Sequence, residues 1–138
     1  MYRQSSSTIR STAAGSPLRW VASIRSRYSG SLPGTAAEIL DDDVRAVLCP
    51  DKIDTARWFE VMDTAHRVGL RSTATILYGH VERPVHWARH LLRLRAQQQR
   101  TQGFTEFVPL PFVHMASPIY LRKRARRGPT RSEERRVG

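Results

Sequence analysis

Cysteine is almost absent from this chain, with Cys49 alone among 138 residues. A disulfide framework is excluded, as is any metal site built on several thiolates from this chain, and no metal site is expected within it. Next to Pro50 at a helix end, Cys49 reads as inert packing. Long apolar runs are missing too. Nothing approaches the length of a membrane span and there is no secretory signal, so no membrane partner is expected and the core is assigned to a soluble, reducing, cytoplasmic compartment. No internal repeat is visible.

Acidic residues are missing from residues 1–37, which carry five arginines. Residues 38–119 hold ten basic and ten acidic side chains, and residues 120–138 hold eight basic and two acidic, so the formal net charge of +11 belongs to the two ends. A nucleic-acid binder concentrates its positive field on the folded surface that docks, with aromatic groups nearby. Here the core is balanced and the positive charge lies at the two ends, so nucleic acid is not expected as a partner. A noncatalytic, basic-tailed nucleic-acid-binding module is kept as the alternative from a different functional class. Residues 1–30 contain eight serines and no sustained apolar period. They are expected to be a disordered, non-native segment, and residues 131–138 a disordered, non-native tail.

The middle of the chain has a clear order. Ser72–Tyr78 is rich in Thr, Ile and Tyr, and Phe104–Phe112 is apolar and β-prone, so both read as buried parallel strands. Between them Pro84 suits a first helical turn, and Val85, Ala88, Leu91, Leu92 and Leu94 recur at helical spacing until Gly103. This is the crossover unit of a parallel sheet. Upstream, Asp51 or Asp54 caps a helix carrying Trp58, Phe59, Val61, Met62, Ala65 and Val68 that stops at Gly69. Asp41–Leu48 reads as one or two helical turns, and Ser31–Leu40 as a weakly alternating strand running into a loop at Gly34. The predicted order is β, α, β, α, β, in a core of about ninety residues, small for a complete α/β domain.

The wording of the segments GTAAEIL (34–40), CPDKIDTARWFEVMDTAHRVGLRSTATILYGHV (49–81), HWARHLLRLR (86–95) and GFTEFVPLPFVHM (103–115) resembles one family, FO synthase, and more narrowly its tyrosine-using half. That family lies within the radical S-adenosylmethionine superfamily. The resemblance runs from about residue 31 to 130. Menaquinone enzymes acting through futalosine share the GH-V-E, HL-x-x-LR and F-x-P-L-P-F elements and are the nearest alternative in chemistry. HWARH and IYLRKRARRGPT (119–130) favour FO synthase.

The resemblance implies a partial TIM-type (β/α) barrel, roughly strands four to six, with S-adenosylmethionine and a 4Fe-4S cluster at the C-terminal strand ends. It implies a deoxyadenosyl radical that attacks L-tyrosine, breaks its Cα–Cβ bond and lets the hydroxybenzyl fragment join 5-amino-6-(D-ribitylamino)uracil in deazaflavin coenzyme biosynthesis. The partner would be the other FO synthase half, fused or separate. The family's C-x₃-C-x₂-C cluster loop is absent, so the chain is expected to be a fragment, inactive alone. A half barrel would also expose strand edges, so poor solubility in isolation is expected.

On that pattern Glu38 follows the fourth strand and either binds the ribose hydroxyls or ammonium of S-adenosylmethionine or caps the Asp41 segment. Gly79, His80 and Glu82 end the fifth strand in the glycine-containing loop that lets backbone approach the adenosyl group, with His80 a candidate for substrate contact or proton transfer or else a packed, hydrogen-bonded residue. Thr73 and Thr75 share one strand face, lining the interior or serving as β-branched core. Glu106 lies on the sixth strand, where burial would demand a partner such as a substrate amine or an arginine from outside the chain. His86 and His90 have a zinc-compatible i, i+4 spacing but no further ligand, and are expected on a solvated outer helix face.

Overall fold

The computed structural model describes residues 30–34, 36–115 and 117–130. The expectations for residues 1–29 and 131–138 lie outside the described residues. In chain order the elements are α1 (Asp42–Leu48), α2 (Thr55–Arg67), β1 (Ser72–Tyr78), α3 (Pro84–Thr101), β2 (Phe104–Pro111) and the single-turn α4 (Pro118–Leu121).

The crossover unit is present as expected. β1 and β2 pair in parallel from Ser72 opposite Phe104 to Tyr78 opposite Pro111, with an irregularity between Ser72 and Ala74, and α3 carries the chain back between them. The Asp54 carboxylate caps α2 by accepting the Arg57 N–H. The molecule is thus mixed α/β with a small parallel sheet.

The strand expected over Ser31–Leu40 is reduced to a single parallel bridge between Leu32 and Ser72. The Leu32 carbonyl accepts the Thr73 N–H (3.1 Å) and the Glu38 carbonyl accepts the Leu77 N–H (2.9 Å), so the segment follows β1 without forming a ladder. Gly34 interrupts it. Its N–H donates to Thr73 Oγ1 and its carbonyl accepts from Thr75 Oγ1, both at 2.7 Å, and a Cβ there would lie 2.0 Å from the Thr73 carbonyl oxygen. Ala36 and Glu38 then turn the chain with positive φ (71° and 45°).

Alternation along β1 sends Ala74 and Ile76 to the helices. Ala74 joins Ala37, Leu40, Trp58, Met62, Leu94 and Phe104 in the main core, where Trp58 stacks on Phe104 and meets Phe59 edge-on. Ile76 packs with Ile39, Val44, Val81 and Trp87.

Two expectations are corrected. β2 is not buried: it is the outer strand of the described sheet, and most of its residues are exposed because no strand covers its far side. The apolar spacing on α3 marks the wrong face. Val85, Leu91 and Leu92 point outward, Leu92 at 63% exposure, while His86, His90, Leu94 and Gln97 face inward. Polar residues can occupy that face because groups in the layer beneath bond to them: Leu40 N–H to His90, Asp63 and the Phe59 carbonyl to Gln97.

A methyl group at Gly34 meets main-chain atoms that cannot rotate away. Gly34→Ala is therefore expected to cost about 1–3 kcal/mol in urea unfolding, whereas Leu92→Asn on the outward face should change stability little. Equal midpoints for Gly34→Ala and the parent chain would contradict the close approach.

Candidate functional site

The C-terminal ends of parallel strands are where α/β folds assemble ligand sites, because the loops converge there. In this chain that edge is built from three pieces: the turn through Ala36–Glu38, the β1–α3 loop Gly79–Glu82, and the residues after β2, Phe112–His114.

The Gly79–Glu82 loop is the most organised of the three. Glu82 is fully buried, and its carboxylate accepts the backbone N–H groups of Gly79 and His80 and the Trp87 indole N–H (3.0 Å). His80 Nδ1 lies 2.9 Å from the same carboxylate. Burial pushes the Glu82 pKa up, but the hydrogen bonds from His80 and Gly79 outweigh it and hold the carboxyl well below the usual range. His80 is also fully buried. Its Nε2 faces the Leu77 carbonyl (2.9 Å), and its ring meets Phe112 edge-on. A group hydrogen-bonded on both nitrogens within the chain fixes the loop.

The structure brings Gly79, His80 and Glu82 together and places Glu38 at the same edge, paired with Lys52. Thr73 and Thr75 lie on the β1 face away from the helices, with their hydroxyls committed to Gly34. Glu106 stands apart. It is exposed and lies five residues before the end of β2, about 16 Å from the C-terminal edge at strand rise.

The outer-face placement of His86 and His90 is corrected, since both are buried. His86 Nδ1 accepts the Arg83 N–H at the start of α3. His90 Nδ1 accepts the Leu40 N–H (3.0 Å), and burial, partly offset by the Thr75 backbone, drives its pKa down to about 4. No group of three or more metal-ligating side chains occurs among the described residues.

Three arginines that the sequence reading passed over serve this edge. The buried Arg45 donates to the carbonyls of Ala36 (3.2 Å), Ala37 (2.6 Å) and Ile53 (3.1 Å). Arg93 donates to the Leu40 carbonyl. Arg126 donates to the carbonyls of His80 (3.1 Å) and Glu82. A cavity of about 340 Å³ lies beside Arg126, lined by Gly79, Glu82, Trp87, Arg126 and Pro129 among others. Periodicity carries no signal for a cation that braces carbonyls, and Arg126 sits inside a basic run that reads as solvated charge.

A parallel α/β segment with an organised C-terminal edge is the class these features define. No protein-family model matches the chain. Among characterised proteins it is 57% identical over 118 residues to an FO synthase of Mycobacterium leprae, covering 86% of this chain and 14% of that protein. It is 54% identical over 127 residues to an FO synthase of Mycobacterium tuberculosis, covering 91% and 15%. It is 56% identical over 108 residues to the 5-amino-6-(D-ribitylamino)uracil–L-tyrosine 4-hydroxyphenyl transferase of Methanothermobacter thermautotrophicus, covering 78% and 29%. The chain is similar to one segment of the FO synthases. It spans roughly a seventh of the bacterial proteins' length and under a third of the archaeal one's. The 91% share exceeds what residues 31–130 make up, so the similarity continues beyond that stretch.

His90 gives this architecture a pH dependence. Its folded pKa lies below the ordinary 6.5, so between pH 6.5 and about 4 the unfolded chain takes up a proton that the folded chain refuses. Stability should fall as the pH drops through that window, by up to about 3 kcal/mol from this residue. In His90→Asn, where the amide oxygen can accept the Leu40 N–H, urea midpoints at pH 7 and pH 4.5 should lie closer together than in the parent. An unchanged gap would contradict the assignment.

Proposed function

We propose that the chain supplies strands four to six of a (β/α) barrel in the tyrosine-using half of an FO synthase, a radical S-adenosylmethionine transferase of deazaflavin coenzyme biosynthesis. The observation that carries this reading is the 56% identity to the archaeal transferase whose name states the two substrates, 5-amino-6-(D-ribitylamino)uracil and L-tyrosine. The parallel sheet and its loop-built C-terminal edge are compatible with it. No helix among the described residues is long and apolar enough to cross a membrane. A cytoplasmic, membrane-free setting with the other FO synthase half as partner completes the proposal.

The cofactors set the limit of what this chain does. A 4Fe-4S cluster is held by several thiolates. Cys49 is the one cysteine, it is buried, and burial pushes its thiol pKa up. The chain does not fit the cluster, whose ligands must come from elsewhere in the enzyme. Nor do the side chains assigned to S-adenosylmethionine offer it a ready site, because Glu38 is paired with Lys52, Glu82 is held by its own loop, and Thr73 and Thr75 are held by Gly34.

In this reading the chain's contribution is orientation and exclusion of water, which radical chemistry requires because a carbon radical reacts with whatever bond it meets. His80 and Glu82 set the loop, and Glu106 stays open to a partner from another part of the enzyme.

Replacing the corresponding segment of the Mycobacterium leprae FO synthase with residues 31–130 tests the proposal. The chimera should retain tyrosine-dependent formation of the deazaflavin precursor. A soluble, cluster-loaded chimera that makes none would contradict it.

A further inference from the structure

We propose that Arg126 is a positioning residue that fixes the Gly79–Glu82 loop at the C-terminal edge of the sheet. Its Nε and its own backbone N–H both donate to the His80 carbonyl (3.1 Å each), and its guanidinium also donates to the Glu82 carbonyl. One side chain thus holds two carbonyls two residues apart in a loop more than forty residues upstream. The Glu82 carboxylate takes the loop's N–H groups from inside, and Arg126 takes its carbonyls from outside. Only a planar fork of several donors spans both acceptors, and an ammonium cannot.

The segment carrying Arg126 is docked on both strand ends. Gly79 has φ 93°, and a Cβ on it would lie 2.3 Å from Pro129 Cδ, so the backbone of the loop and the Pro129 ring are in direct contact. Gly128 approaches the Phe112 carbonyl so closely that a Cβ would fall 1.8 Å from its oxygen, and its N–H donates to His114 Nδ1 (3.3 Å). Residues 126–129 therefore strap the end of β1 to the end of β2. The effect on the loop stands on this geometry alone, while a consequence for turnover rests on the functional reading above.

Hydrogen exchange read by mass spectrometry on the full 138-residue chain tests the role. Arg126→Ala should speed exchange of the peptide containing the Gly79 and His80 amides about tenfold or more and leave α2 unchanged. Arg126→Lys should fall between, and Arg124→Ala, which removes the same charge from the same exposed run, should match the parent. Parent-like loop exchange in Arg126→Ala overturns the proposal. If Arg126→Ala loses α2 protection as well, Arg126→Lys decides: faster loop exchange with α2 intact supports the role, and parent-like exchange overturns it. In the chimera, Arg126→Ala should lower kcat with a smaller change in KM, partly rescued by Arg126→Lys, and full activity would overturn the catalytic consequence. An inactive parent chimera alongside faster loop exchange in Arg126→Ala would instead sink the functional reading and leave the positioning role standing.

Discussion

β1 is the constraint on which the rest of the molecule depends, because it is the strand with backbone partners on both edges. On one side it pairs with β2. On the other it exchanges hydrogen bonds with Leu32 and Glu38 at its two ends and with Gly34 through Thr73 and Thr75 in between. A parallel pair cannot be closed by a tight turn, so α3 is required to return the chain, and its inward face must then be covered. α2, α1 and the Ala37–Leu40 turn supply that cover through Trp58, Met62, Val44 and Leu40.

The loops at the C-terminal edge are held less by apolar packing than by cations on carbonyls. Arg45 ties the Ala36–Ala37 turn to Ile53, Arg93 ties α3 to Leu40, and Arg126 ties the last described segment to His80 and Glu82. Hydrogen bonds from a charged donor contribute about 1.5–3 kcal/mol each, and a guanidinium can make several at fixed geometry. That is how a turn with two non-glycine residues at positive φ and a loop with a buried carboxylate can persist at the C-terminal edge of the sheet.

The elements were legible in the sequence because their signals are local. β-branched residues in Ser72–Tyr78, Pro84 at a first turn and Asp54 as a cap need no knowledge of the fold. What escaped was set by partners far along the chain. His90 is buried because Leu40, fifty residues away, bonds to it, and an apolar count assigns the inner face of α3 to the leucines instead. The Ser31–Leu40 strand fails because Gly34 hydrogen-bonds to threonine side chains rather than continuing a ladder. At the site, the cluster of Gly79, His80 and Glu82 was visible as a motif, but its internal hydrogen bonding and the Arg126 brace were not.

Among the described residues the far side of β2 is uncovered. Leu91, Phe107, Leu110, Val113 and Met115 are exposed there and beyond, the last two at 68% and 74%. Phe112 N–H donates inward to the Tyr78 carbonyl, so by alternation the nitrogens of Pro109 and Pro111 face outward, where the edge lacks donors. This blunts the edge against stray pairing while leaving its apolar side chains uncovered. Residue-resolved amide exchange on the chain alone tests the picture of an internal β1 and an outer β2. The Leu77 amide, bonded to the Glu38 carbonyl, should be strongly protected, while the outward-facing Phe107 amide exchanges rapidly. Equal protection of Phe107 and Leu77 would mean that β2 has a partner on its far side and would contradict the account.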